Sequence, residues 1–245
     1  MDVLKNPMYY ALTGEHADLA ESQGRAVRYP AQVAPFLGLP DDPTEQDWAD
    51  AAELLGADHA AALMRPDLPL PAFIKLVQQF DLVQLVAPEG FGATHTADMA
   101  PVGNGVAAGD AAGDPEGIRP VVLGPDDVPE MLALIELTDP GPFRARTIEM
   151  GSYLGLRDGD RLIAMAGERC RPPGYVEISA VCTDPAYRGR GLATRLIREV
   201  AAGIEQAGAH PFLHTGGTNT TAIRLYEGLG FTVSNRMKVT IVQPV

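Results

Sequence analysis

Between Val181 and Ala193 the chain reads VCTDPAYRGRGLA, with Gly189 and Gly191 interleaved with Arg188 and Arg190 just ahead of a helical apolar pattern. The first amides of a helix lack an intrahelical acceptor and carry the positive end of its dipole. Glycine lets such a turn approach an anion closely, and arginine adds charge suited to phosphates. Small Ala193 leaves the first helical turn uncluttered, so a pyrophosphate is the expected guest. Read alone, the same residues would also suit a surface turn with two solvated arginines. The spacing of a P-loop (Gly-x-x-x-x-Gly-Lys-Ser/Thr) is absent, and a Gly-x-Gly-x-x-Gly dinucleotide turn fails because position 194 is Thr. Three further groups stand out. Asn219 and Tyr226 are two helical turns apart and are expected on one helix face. Glu177 interrupts an apolar strand, where a carboxylate is either paired or functional; Arg169 is the natural partner. His214 could move protons, but such a residue is more often just the end of a strand.

These residues need elements to hold them. In the C-terminal half, Pro120–Leu123 reads as a strand and Pro125–Leu137 as a helix, followed by the loop Asp139–Thr147. Strands follow near Gly151–Arg157 and Arg161–Arg169, joined by a tight Asp158-Gly159 turn that favours a hairpin. A third strand covers Tyr175–Thr183, where strict alternation puts Glu177, Ser179, Val181 and Thr183 on one face. From about Gly191 to Gln206, Leu192, Leu196, Val200 and Ile204 recur every four residues, an amphipathic helix. Pro211–His214 (strand), Thr218–Leu229 (helix) and Phe231–Val242 (strand) complete the order β-α-loop-β-β-β-α-β-α-β. The N-terminal half is less regular. Ala31–Leu39 and Leu82–Ala87 read as short strands, and Thr44–Leu55 as a helix capped by Thr44. Pro66, Pro69 and Pro71 break longer elements.

Composition separates the halves. The 245 residues are 46% hydrophobic and 21% charged with net charge −13, which disfavours non-specific nucleic-acid binding. Residues 1–117 hold 18 acids against 5 Lys/Arg, whereas residues 118–245 hold 14 of each. This asymmetry, with a Gly/Ala/Asp/Pro-rich stretch around 88–117, predicts a small α+β domain at 1–87, a mobile linker at 88–117 and a second domain at 118–245. No apolar run is long enough for a membrane span and no secretory leader is visible, so a cytoplasmic protein is expected. Cys170 and Cys182, the two cysteines, show no metal-ligand spacing, and no metal is expected.

Arg188-x-x-Gly191-x-Ala193 resembles the Arg/Gln-x-x-Gly-x-Gly/Ala signature of the GNAT superfamily of N-acetyltransferases. Asn219-Thr-Thr-Ala222-Ile-Arg-Leu225-Tyr226-Glu-Gly-Leu-Gly230-Phe231 resembles its second signature, in the expected order and with one helix and one strand between. The pair is far more specific than either motif alone and covers about Arg119–Val245. The resemblance implies an α/β (α+β) GNAT fold, a mixed and mostly antiparallel sheet flanked by helices. It also implies that acetyl-CoA, or a related acyl-CoA, is the donor. Arg188, Gly189, Arg190, Gly191, Leu192, Ala193 and Thr194 would hold the pyrophosphate. Val181, Cys182 and Thr183 would offer backbone groups to the pantetheine arm beside a splayed neighbouring strand, and Asn219, Ala222 and Tyr226 would line the same cofactor. Tyr226 would protonate the leaving thiolate, unless it merely anchors its helix. Glu177 is the candidate base, acting through a water, against a plain ion pair with Arg169. Cys182 reads as core rather than nucleophile. Phe143, Arg144 and Arg146 fall where the family binds its acceptor. Gly216-Gly217-Thr218 departs from the family by lacking an acidic residue before Asn219.

The implied activity is direct acyl transfer to a small-molecule or peptide amine in a ternary complex, with no nucleic-acid or membrane partner; a homodimer is possible. A non-catalytic CoA-binding module, with the acidic half as a partner-interaction domain, is the competing reading. The acidic half could also steer a cationic acceptor, or be a degenerate second copy of the fold.

Overall fold

The computed structural model describes residues 2–92 and 117–245. Eight strands form one sheet in the order β4-β11-β5-β10-β9-β8-β7-β6. Their ranges are β4 Ala61–Arg65, β5 Ile74–Val86, β6 Ile118–Leu123, β7 Tyr153–Asp158, β8 Arg161–Glu168, β9 Tyr175–Thr183, β10 His210–Gly216 and β11 Thr232–Pro244. All neighbours are antiparallel except β9 and β10. A three-stranded sheet, β1 Glu21–Gln23, β2 Ala26–Arg28 and β3 Leu37–Gly38, lies beside it. The helices are α1 Pro7–Leu12, α2 Glu45–Leu55, α3 Val128–Thr138, α4 Leu192–Gln206 and α5 Thr220–Gly228. Among the described residues no helix is long and apolar enough to cross a membrane.

From β6 onward the element order is the one read from the residues. Helix α4 buries Leu192, Leu196, Val200 and Ile204, and with them Ile197 and Ala201, against β8, β9 and β10. Helix α3 covers β8 and β9, burying Met131 and Leu134 in a second cluster with Phe143, Tyr153 and Cys182. In the N-terminal part, α2 starts at a reciprocal cap. The Asp47 amide donates to Thr44 Oγ1 at 3.3 Å, and the Thr44 amide donates to Asp47 Oδ2 at 2.7 Å. Such a box satisfies two amides that the helix leaves without acceptors.

Two expectations change. The chain does not divide into separate units at 87 and 118, because β5 is inserted between β10 and β11 and β4 pairs with β11 on its other side. Apolar alternation at Leu82–Val86 marks a strand but does not say which strand it pairs with. Ala31–Leu39 is not a continuous strand: Leu37–Gly38 pairs with β2 and Phe36 makes an isolated bridge to Ala62, while Pro35 has no amide to give a ladder. Val33, Ala34 and Phe36 are nonetheless buried. The predicted linker at 88–117 falls mostly outside the described residues. Its first part is packed: Phe91 is buried and meets the Phe231 ring edge-on at 5.0 Å.

Candidate functional site

Strands β9 and β10 pair only over Tyr175–Ile178 and His210–Leu213. Beyond that point Ser179, Ala180 and Val181 are half-buried, although β9 is interior to the sheet. The register with β8 slips between Gly167–Ser179 and Met165–Cys182, and Ala180 sits at the slip with φ +52°. A non-glycine residue in the left-handed region is uncommon, and an extra residue bends its strand and re-aims its side chains. The expected alternation is overturned here. Val176, Ile178 and Val181 meet the α4 cluster, while Ala180 and Cys182 meet the α3 cluster. Glu177 therefore shares no face with Val181.

At the end of β9, Asp184 fixes the exit. It accepts from the Ala186 amide at 2.8 Å and from Arg161. The turn then reaches α4 through Gly189 (φ +81°) and Gly191 (φ +75°), left-handed positions that glycine takes without strain. Gly191 is the helix cap and supplies no side-chain acceptor, and a methyl group built on either glycine would meet nothing within 4 Å. The bend is open. Arg190 stacks its guanidinium over the Tyr187 ring at 5.0 Å, and the exposed Arg188 reaches the Thr183 carbonyl at 3.4 Å. Tyr187, unnoticed in the sequence, is held by a 2.7 Å bond from its hydroxyl to Asp158.

Tyr226 lies on α5, buried in the α4 cluster and tilted against Phe231 at 5.9 Å. Burial pushes its phenol up to about 12. Asn219 is the N-cap of α5 and accepts from the Ala222 amide at 3.1 Å. It is exposed where Tyr226 is buried.

Glu177 is 0% exposed. Arg169 grips both carboxylate oxygens, with Nε at 2.8 Å from Oε2; His214 Nδ1 lies 2.7 Å from Oε1 and the Cys170 thiol donates to Oε2 at 3.1 Å. Burial alone would raise this carboxyl, but the Arg169 charge and these partners outweigh it and hold it well below the usual range. Of the two readings of Glu177, the geometry is that of an ion pair. His214 continues the chain of contacts, with Nε2 2.9 Å from Gln84 Nε2. Gln84 donates to the Leu4 carbonyl at 2.8 Å and accepts from Asn235 at 2.7 Å and Ser234 at 2.9 Å. This makes His214 Nε2 the acceptor and Nδ1–H the donor toward Glu177. The His214 ring is 1% exposed while the residue as a whole is only half-buried, so its exposure is main chain, as expected where two strands part. The polar seam was missed in the sequence apart from its first pair; Gln84 within LVQLVA was the available signal.

The loop residues serve other ends. Phe143 is buried edge-on to Tyr153 at 5.5 Å. Arg144 donates to the Ala31 carbonyl at 2.6 Å, and Arg146 forms a two-pronged pair with Glu149 at 2.6 and 2.7 Å. Cys182 is buried, which pushes its thiol up to about 11 and suits a core residue.

The family model described as FR47-like protein matches residues 153–239, which contain the bulged strand, the glycine turn, Asn219 and Tyr226. A solved structure from Novosphingobium aromaticivorans, assigned to the GNAT family, is 36% identical with a TM-score of 0.80, and the alignment covers 100% of both chains. The chain belongs to the GNAT superfamily. Among curated proteins, this GNAT chain is 36% identical over 100 residues to the N-alpha-acetyltransferase RimI of Mycobacterium tuberculosis, covering 38% of the chain and 62% of that protein. It is also 36% identical over 85 residues to mycothiol acetyltransferase of Corynebacterium glutamicum, covering 33% of the chain and 28% of that protein. The match thus spans about a quarter to two thirds of these relatives. A GCN5-related N-acetyltransferase from Kribbella flavida, 16% identical with a TM-score of 0.55 over 98% of the chain, shares the fold.

Proposed function

We propose that this protein is an N-acetyltransferase that passes an acetyl group from acetyl-CoA to an amine. The observation that carries the reading is the open bend at 188–194, where two left-handed glycines and an uncapped helix start follow a strand that parts from its neighbour. Backbone amides there suit a pyrophosphate, and no side chain of the bend fills the space beside either glycine. The half-buried Ser179–Val181 segment offers backbone beside the opening for an extended arm. The relatives named above, one for an N-alpha-acetyltransferase and one for a mycothiol acetyltransferase, support the same activity.

Bound acetyl-CoA supplies an activated thioester. Tyr226, on α5 beside the α4 cluster, carries a phenol that can donate a proton to the departing thiolate. Glu177, locked by Arg169, positions the seam below the strand opening rather than accepting the proton of the amine. That proton leaves through solvent. No buried thiol is in an environment that favours thiolate, so a direct attack in a ternary complex fits better than a covalent relay.

The occupied carboxylate of Glu177 and the burial of Tyr226 also suit a CoA-binding module without turnover. One titration separates the readings. Calorimetry with coenzyme A should show binding, and acetyl-CoA with a panel of primary amines should release thiol. Binding with no thiol release for any amine would favour the module; absence of binding would end both.

A further inference from the structure

Strand β5 is longer than β10, one of the two strands that flank it. It pairs with β10 only through Leu82–Val86, and the Gly217 amide closes the contact on the Asp81 carbonyl at 2.9 Å. Residues 74–80 run on past the end of β10, still paired with β11 on one side. On the other side no strand pairs with them among the described residues. That free edge looks across the end of β10 toward the place where β9 and β10 part. An unpaired edge presents a row of amides and carbonyls that another extended chain satisfies best.

Three side chains along this edge are apolar and exposed: Leu76 at 48%, Val77 at 48% and Phe80 at 43%. Val77 is an extra residue opposite β11, so Phe80 stands opposite Val239 and Leu76 opposite Val242. Val239 and Val242 belong to core clusters on the two faces of the sheet, so Phe80 and Leu76 project from opposite faces. An incoming strand would find apolar contact above and below. The edge is also polarised. The exposed carboxylate of Asp81 lies at the end nearest the opening and the exposed ammonium of Lys75 at the far end.

We propose that the free edge of β5 is a docking platform for an extended, apolar peptide acceptor, whose α-amine is led by Asp81 to the β9–β10 opening. The chain of the acceptor then runs from Asp81 toward Lys75, antiparallel to β5. Residues 74–80 span about 20 Å at strand rise, enough for about six acceptor residues. The inference rests on the acetyltransferase reading and narrows its acceptor to polypeptide N-termini rather than free small amines.

The test compares an octapeptide of apolar residues with the amide of its first two residues, following thiol release from acetyl-CoA. The octapeptide should have at least a tenfold higher kcat/KM, carried by KM. Leu76→Asp combined with Val77→Asp, beyond the reach of a dipeptide held at Asp81, should erase that gain while leaving dipeptide turnover and coenzyme A affinity unchanged. Equal kcat/KM for the two lengths in the unmodified protein overturns the proposal, and that comparison stands even if the double variant folds poorly. A folded double variant that keeps the gain overturns it too. So does sedimentation showing a dimer that the double variant converts to monomer, because the strip is then a subunit contact. Coenzyme A binding without acetylation of any peptide refutes the platform alone, whereas failure to bind coenzyme A refutes the underlying activity.

Discussion

The bend between β9 and α4 and the polar seam beneath it are separated by half a strand, yet they are built on opposite plans. The bend is backbone: two glycines, a helix start and a strand end, all within about a dozen consecutive residues. The seam is side chain: Arg169, Glu177, His214 and Gln84, drawn from the end of β8 and from β9, β10 and β5. A backbone site is set by local sequence and keeps its shape while surrounding side chains vary. A buried chain of polar groups depends on every member, since each lost partner leaves another unsatisfied in a low dielectric. The first kind of site is expected to govern binding, the second to govern whether the opening holds its width.

Removing a seam member should therefore cost most. Glu177→Ala leaves the Arg169 guanidinium buried without its partner, and about 3–5 kcal/mol of stability should be lost in denaturant unfolding. Because the folded carboxyl titrates below its ordinary value of 4.5, its stabilisation is complete above that pH and fades as pH falls further. The variant should lose that acid-side slope. If Glu177→Ala melts like the unmodified protein, the seam is ornamental and the contrast collapses. Next in size, Tyr226→Phe should lower kcat on the order of a hundredfold with little change in coenzyme A affinity. An unaltered kcat would reduce Tyr226 to a helix anchor.

Gly191→Val tests the other side of the contrast. A β-branched residue is strained at φ +75° and crowds the bend, so coenzyme A affinity should fall about tenfold, with a stability loss of about 1–2 kcal/mol. Calorimetry beside a thermal melt reads both. Should affinity be untouched, the bend is not the binding element. Smallest is Asn219→Ala, which removes the cap of α5 and should cost about 1 kcal/mol. Any loss of coenzyme A affinity beyond that of a frayed helix would return Asn219 to a direct binding role.

What the sequence disclosed follows the same divide. The bend, the α4 stripe, the Asp158-Gly159 hairpin and the Thr44 cap are each encoded in neighbouring residues, and each was readable. The slip at Ala180 was not, because it is a property of the β8–β9 register rather than of either strand, and it turned Glu177 away from Val181. His214 and Gln84 meet only because β5 inserts beside β10, 130 positions apart in the chain. The Arg169–Glu177 pair could be guessed from a carboxylate in an apolar strand, but its second partner could not. Phe143, Arg144 and Arg146 sat in the expected loop, yet their side chains face the core, Ala31 and Glu149.

The insertion of β5 also sets an order of events in the making of the molecule. Gln79 contacts Thr240 across 161 positions of chain, so the sheet cannot close until β11 has been made. Until then the β11 flank of β5 waits bare, and closure depends on long-range encounter.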